Sequence, residues 1–170
     1  MDWKQGLMLA VAGVACAGCI NMNNPTRLAP GASADEVQRL LGAPTGRYAL
    51  EGGAQRLEYA RGPYGRETWM LDLDASGRLQ SSAQVLTEKR FNTITAGMSA
   101  DEVLKLIGRP SATSRIGWKD QAVWSYRYQS PFCQWFQIGM GKTGLVEDSG
   151  YYPDPICDDV DKPLFGFWHR

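Results

Sequence analysis

Histidine is almost missing. The chain of 170 residues holds one, His169, next to its last residue. A nucleophile–histidine–acid arrangement would have to recruit that tail position, so the chain is not expected to be an enzyme of that kind. An excess of charge is missing too, since 18 Lys and Arg balance 18 Asp and Glu. No basic stripe or extended polybasic patch stands out, which argues against a nucleic-acid partner. Cysteines number four, and the two isolated ones, Cys133 and Cys157, have no histidine at ligand spacing, so no metal or other cofactor is expected. "GMGKTG" lacks the glycine that a phosphate loop places four residues ahead of its Gly-Lys pair; Phe136 stands there. The acids Asp158, Asp159 and Asp161 make a solvated acidic tail, not a calcium loop. The apolar run from Leu7 to Gly18 is too short to span a bilayer.

That run suits the hydrophobic region of a secretory signal instead, followed by small residues. "CAGC", ending in Cys19 after Ala17 and Gly18, resembles the bacterial lipobox, with Cys16 where Leu is usual. The resemblance implies cleavage after Gly18 and lipid on Cys19. Ile20 follows, not the Asp that retains such proteins in the inner membrane, which implies the outer membrane facing the periplasm. The chain then divides into a signal peptide over 1–18, a tether over 19–30, two repeats over 31–86 and 87–152, and an irregular tail over 153–170.

The repeats rest on one phrase written twice. "GASADEVQRLLGAP" begins at Gly31 and "GMSADEVLKLIGRP" at Gly97, 66 residues later. In each, a serine (Ser33, Ser99) precedes a glutamate three positions on (Glu36, Glu102), the pattern of a capping box. Val103, Leu106 and Ile107 give one apolar face, as Val37, Leu40 and Leu41 do. Gly108 and Gly42 suit the left-handed residue that closes a helix, and Pro110 and Pro44 prevent continuation. Helices this short need an apolar surface to lie on.

Beyond the helices the match continues with a shift of 67. Leu57 falls on Trp124, Tyr59 on Tyr126, Trp69 on Phe136, Leu71 on Ile138, and Leu79 on Val146. These segments alternate as strands do. "ETWMLDLD" sets Trp69, Leu71 and Leu73 on one face, "AVWSYRY" sets Trp124, Tyr126 and Tyr128, and "FCQWFQIG" sets Phe132, Phe136 and Ile138. "DASG" and "GKTG" are turns. The expected fold is α+β: two tandem repeats, each a short helical segment packed on a three-stranded antiparallel sheet. Units this small are marginal alone and are expected to pack together.

With Cys16 lost and Cys19 acylated, Cys133 and Cys157 remain as an even pair in an oxidising compartment, and a disulfide between them is expected. Trp135 points away from the helix-covered face, and Met70 occupies the corresponding face of repeat one. These residues either lie under the tail, where Phe165, Phe167 and Trp168 would supply the cover, or belong to an exposed protein-binding face, with the tail aromatics as a docking motif.

"FNTITAGMSADEVLKLIGRPS" followed by "VWSYRY" resembles the SmpA/OmlA (BamE-like) family of outer-membrane lipoproteins. Phe91, Ile94, Gly97, Met98, Ser99, Val103, Ile107, Gly108, Pro110, Trp124 and Tyr126 carry the resemblance. Repeat one lacks the aromatic lead-in and has Leu57 where Trp is expected. The resemblance implies helices on a three-stranded antiparallel sheet. It also implies a periplasm-facing lipoprotein that supports the β-barrel assembly machinery or envelope integrity. Tandem copies are similar as well to the β-lactamase-inhibitor protein fold, whose implied role is occlusion of a hydrolase.

Overall fold

The computed structural model describes residues 24–62 and 65–158. Within them the duplicated phrase folds twice into the same object. Helix α1 (Ala34–Leu41) and helix α3 (Ala100–Ile107) each begin at a capping box. The Glu36 and Glu102 carboxylates accept from the Ser33 and Ser99 amides at 2.6 and 2.7 Å. The serine hydroxyls accept from the glutamate amides in return. Those serine bonds hold both carboxyls below their ordinary pKa. Gly42 and Gly108 close the helices at φ 81° and 79° with ψ −164° and −166°. That is not the left-handed helical region expected from the sequence. It is the extended positive-φ region, open essentially to glycine alone.

Each helix is followed by four antiparallel strands, not three. Sheet one runs in the order β1 (Gly46–Ala49), β2 (Gln55–Arg61), β3 (Glu67–Leu73), β4 (Leu79–Gln84). Sheet two repeats it with β5 (Ala112–Ile116), β6 (Gln121–Arg127), β7 (Gln134–Met140) and β8 (Val146–Pro153). The additional strands are the first of each sheet, β1 and β5. They lie at an edge, pair on one side only, and carry no apolar stripe: "ATSRI" exposes its three central residues. A short helix α2 (Glu88–Phe91) leads into α3, and a single turn α4 (Pro155–Asp158) ends the described chain.

Each helix lies on one face of its own sheet. Val37 and Leu41 pack with Leu57, Tyr59, Leu71, Leu73 and Leu79. Val103 and Ile107 pack with Tyr126, Phe136, Ile138, Met140 and Val146. One hydrogen bond ties helix end to sheet in both units: Tyr59 Oη donates to the Gly42 carbonyl at 3.2 Å, and Tyr126 Oη to the Gly108 carbonyl at 3.0 Å.

The second face of sheet one is covered by the next repeat. Arg56, held by Asp72 through two bonds of 2.6 and 2.7 Å, also donates to the Lys105 carbonyl at 2.7 Å. The Arg109 amide donates to Glu58 at 3.3 Å. Gly108 comes so close that a Cβ on it would lie 3.0 Å from both Glu58 Cδ and Thr68 Cγ2. The layers therefore run α1, sheet one, α3, sheet two, with α3 between the sheets.

Candidate functional site

The placement of α3 decides which sheet face is free. Met70 is expected either under the tail or on an open protein-binding face. It is 3% exposed, and the α3 end and its following turn lie on that side of sheet one, so Met70 is not on an open binding face. Strand period places it on that face but cannot tell which element of a later repeat will land there. Glu58 is fully buried on the same face. Thr45 Oγ1 donates to it at 3.1 Å, and the Tyr48 hydroxyl and the Arg109 amide donate as well. A buried carboxylate is tolerable only with such donors. Burial, and then the bond to and charge of Glu58, raise the Tyr48 pKa, so its hydroxyl keeps the proton it donates.

Among the described residues no helix of the other repeat covers the corresponding face of sheet two, although Gln121, Val123 and Ser125 on it are buried. By strand register Val123, Ser125 and Arg127 of β6 lie beside Trp135, Gln137 and Gly139 of β7, with Tyr152 on β8. Gln137 Nε2 donates to Ser125 Oγ at 2.9 Å. The Arg127 guanidinium lies 5.1 Å from the Trp135 ring centroid, a cation–π contact. Asp154 fixes that guanidinium through bonds of 2.7 and 3.1 Å. Trp135 is thus half-buried and held by an ion pair, and Tyr152 is 51% exposed. A shallow groove of about 150 Å³ runs over Val123 and Gln137 between Ile116 and Tyr152. Charge on this face lies at Arg127 with Asp154 at one end, and at the other at Asp148, which accepts from Gln121 at 3.1 Å and pairs with Lys119 at 3.9 Å beside the groove. The accessible part of this face is Trp135, Gln137 and Tyr152 with Arg127 at its edge, and aromatic side chains of this kind are enriched at protein-binding surfaces.

Two further aromatics mark the sheet ends. Trp118, in the turn before β6, is 83% exposed, and Phe132, in the loop after it, is 77% exposed. Phe132 was expected to share a face with Phe136 and Ile138. It lies ahead of β7 instead, because Cys133 adopts φ 46° and breaks the alternation there. Nothing in the local pattern signals that break, and Trp118 carries no periodic signal at all.

Cys133 and Cys157 are bonded, with Cα atoms 6.4 Å apart across 24 residues of sequence. The bond pins α4 beside the start of β7, next to Trp135. Closing a loop of that length stabilises by about 3–4 kcal/mol in the chain-entropy model. Cys19, Phe165, Phe167 and Trp168 lie outside the described residues. Among the described residues no cluster of His, Cys, Asp and Glu suits a metal ion, and no helix is long and apolar enough to cross a membrane.

No family model and no curated protein matches the chain. Among solved structures it is similar to a putative osmotically inducible lipoprotein, OsmE, at 24% identity and a TM-score of 0.36, covering 51% of this chain and 93% of that one. It is also similar to an extracellular SCP-domain protein from Bacillus anthracis str. Ames, at 10% identity and a TM-score of 0.29, covering 92% of this chain and 51% of that one. A cysteine-rich secretory protein from Staphylococcus aureus subsp. aureus Mu50 gives 8% identity and a TM-score of 0.29, covering 77% and 47%. TM-scores this low do not tie the chain to the activities of these proteins.

Proposed function

We propose that the chain is a non-enzymatic envelope lipoprotein that binds a protein through the outer face of its second sheet. In this reading lipid on Cys19 holds it at the outer membrane, facing the periplasm, and it supports the assembly of outer-membrane β-barrel proteins. The observation that carries the reading is the contrast between two equivalent faces. On sheet one the positions of Arg56, Glu58, Thr68 and Met70 serve the chain's own stacking. On sheet two the matching positions are Val123, Ser125, Trp135 and Gln137. Thr68 has become Trp135 and Met70 has become Gln137, both part-exposed, while Val123 and Ser125 are buried between them and the neighbouring strands. That is the change expected where internal packing gives way to recognition of another protein. The resemblance of the second repeat to the SmpA/OmlA family supports the assembly role, and the lipobox-like segment supports the anchor.

The test is capture of the tagged, full-length protein from envelopes solubilised in mild detergent, with identification by mass spectrometry. Recovery of the β-barrel assembly machinery from wild type, and its loss from Trp135→Ala, is the expected result. Recovery of a soluble periplasmic hydrolase would replace assembly with inhibition. Continued acylation of Cys19→Ala would overturn the anchor.

A further inference from the structure

Sheet one has two unlike ends. At the first, β2 stops and β3 starts, with Arg61 opposite Glu67, and β4 stops with Gln84 opposite Trp69. Helices α1 and α3 stop on that side too: the Leu41 carbonyl accepts from Arg61 Nη2, and the Arg109 amide donates to Glu58. At the second end lie the turn from Asp74 to Gly77 and the start of α1, whose Ala34 amide donates to the Gly77 carbonyl at 3.0 Å. Sheet two is stacked in the same sense. Ser111 Oγ, just ahead of β5, donates to the Gly65 carbonyl, and Gln129, just after β6, donates to Glu67.

Charge follows this axis. Arg27, Arg39, Arg66, Lys89, Arg90 and Arg109 lie toward the first end, against Glu67, Glu88, Asp158 and the buried Glu58. Asp35, Glu36, Glu51, Asp74, Asp101 and Glu102 lie toward the second, against Arg78 and Lys105. On sheet two the first end carries the Arg127–Asp154 pair, which is neutral. Helix termini account for the acids of the capping boxes and for Arg39. They do not account for Arg27, for Arg66 in the turn before β3, or for Lys89 with Arg90 beside the end of β4. Among the described residues none of the cations named at the first end forms an ion pair, whereas Arg56, Lys105, Arg115, Lys119, Arg127 and Lys142 all do. They are scattered along the sequence, so no polybasic run announces them, and only the fold gathers them. Charge of one sign gathered in this way repels itself and attracts an opposite surface.

The described chain also begins at the first end. Asn24 and Pro25 border Arg61, Glu67 and Trp69. Asn24 follows Cys19 by five positions, a reach of at most about 18 Å. Phe132, 77% exposed, stands at the same end on the loop between β6 and β7, where Ser130 and Pro131 adjoin Arg66. We propose that this basic end docks on a membrane surface bearing anionic phospholipid, with Phe132 entering the headgroup region. Basic side chains around an exposed aromatic are the composition of an interfacial contact. The orientation rests on the lipid at Cys19 proposed above, which brings this end to the bilayer. The charge axis then stands the strands upright with the acidic end outward, and the outer face of sheet two is presented at right angles to the membrane.

The test takes the protein as recovered from cells into phosphatidylcholine nanodiscs with about 30% phosphatidylserine and a gadolinium chelate on some headgroups. Amide broadening by the gadolinium is expected at Arg66, Arg90 and Phe132. It should be weaker by about a hundredfold or more at Asp74 and Asp101, because β2 alone spans about 23 Å and the effect falls with the sixth power of distance. Lys89→Gln with Arg90→Gln should weaken docking about thirtyfold and flatten the pattern, as should salt at about 0.5 M. Asp35→Asn with Glu51→Gln should leave it unchanged. Docking is refuted by equal broadening at both ends, by the same pattern in discs without phosphatidylserine, or by an undiminished pattern in the Lys89 and Arg90 double variant. The mass of the recovered protein reads the lipid on Cys19 separately. An unacylated protein that still shows the pattern on the same discs upholds docking and removes the anchor. An acylated protein without the pattern overturns docking and leaves the anchor.

Discussion

The stacking of the two repeats can be weighed with one pair of substitutions, Gly42→Ala and Gly108→Ala. Both glycines close a helix with nearly the same backbone angles, φ 81° and 79°. Alanine at either position pays for a region that side chains avoid, about 1–3 kcal/mol. The surroundings then separate the two. A Cβ on Gly42 meets nothing within 4 Å. A Cβ on Gly108 meets Glu58 Cδ and Thr68 Cγ2 at 3.0 Å and Glu58 Oε2 at 3.2 Å. Neither neighbour yields easily. Glu58 is held by Thr45, Tyr48 and the Arg109 amide, and Thr68 is buried and stiff at χ1. Overpacking at such a contact adds about 1–3 kcal/mol. At roughly 2–4 °C per kcal/mol for a chain of this size, Gly108→Ala should melt about 2–12 °C below Gly42→Ala. Thermal unfolding followed by circular dichroism reads the difference. Equal Tm values for the two variants would mean that α3 does not rest on sheet one, and the layer order given above would be wrong.

Other outcomes follow from single contacts. Tyr126→Phe removes the buried bond to the Gly108 carbonyl and should cost about 1–3 kcal/mol in urea denaturation, the orphaned carbonyl included. Cys133→Ala with Cys157→Ala should lower stability by about 3–4 kcal/mol if the bridge acts by chain entropy, and dithiothreitol should move wild type to the same midpoint. The pKa values of Glu36 and Glu102 are lowered in the fold from 4.5, by bonds from Ser33 and Ser99. Their stabilising contribution is complete above that unfolded value and is lost as pH falls through the lowered folded values. Ser33→Ala combined with Ser99→Ala should flatten the acid limb of a stability-versus-pH curve, and an unchanged limb would remove the capping boxes from the explanation.

The helices were legible in the sequence because their signals are local. Ser99, Glu102 and Gly108 state a start and a stop within ten positions, and the same letters in the first repeat do so again. Strand faces were legible wherever a large residue alternates, as Trp69, Leu71 and Leu73 do. β1 and β5 escaped because an edge strand without an apolar stripe leaves no period to detect. Met70 and Phe132 exchanged their expected environments for different reasons. Met70 is buried by a helix end that arrives from the other repeat, a contact across long sequence separation that no local pattern carries. Phe132 is exposed because a single residue, Cys133, takes a positive φ and resets the alternation.

The central claim is that the outer face of sheet two meets a protein. Site-specific photo-crosslinking in living cells tests it most directly, with the reactive residue at Gln137 on that face and, as a control, at Arg39 on the exposed side of α1. The account predicts a discrete adduct from Gln137 to a component of the β-barrel assembly machinery and none from Arg39. No adduct from Gln137, or an adduct only to the chain's own tail, would contradict it.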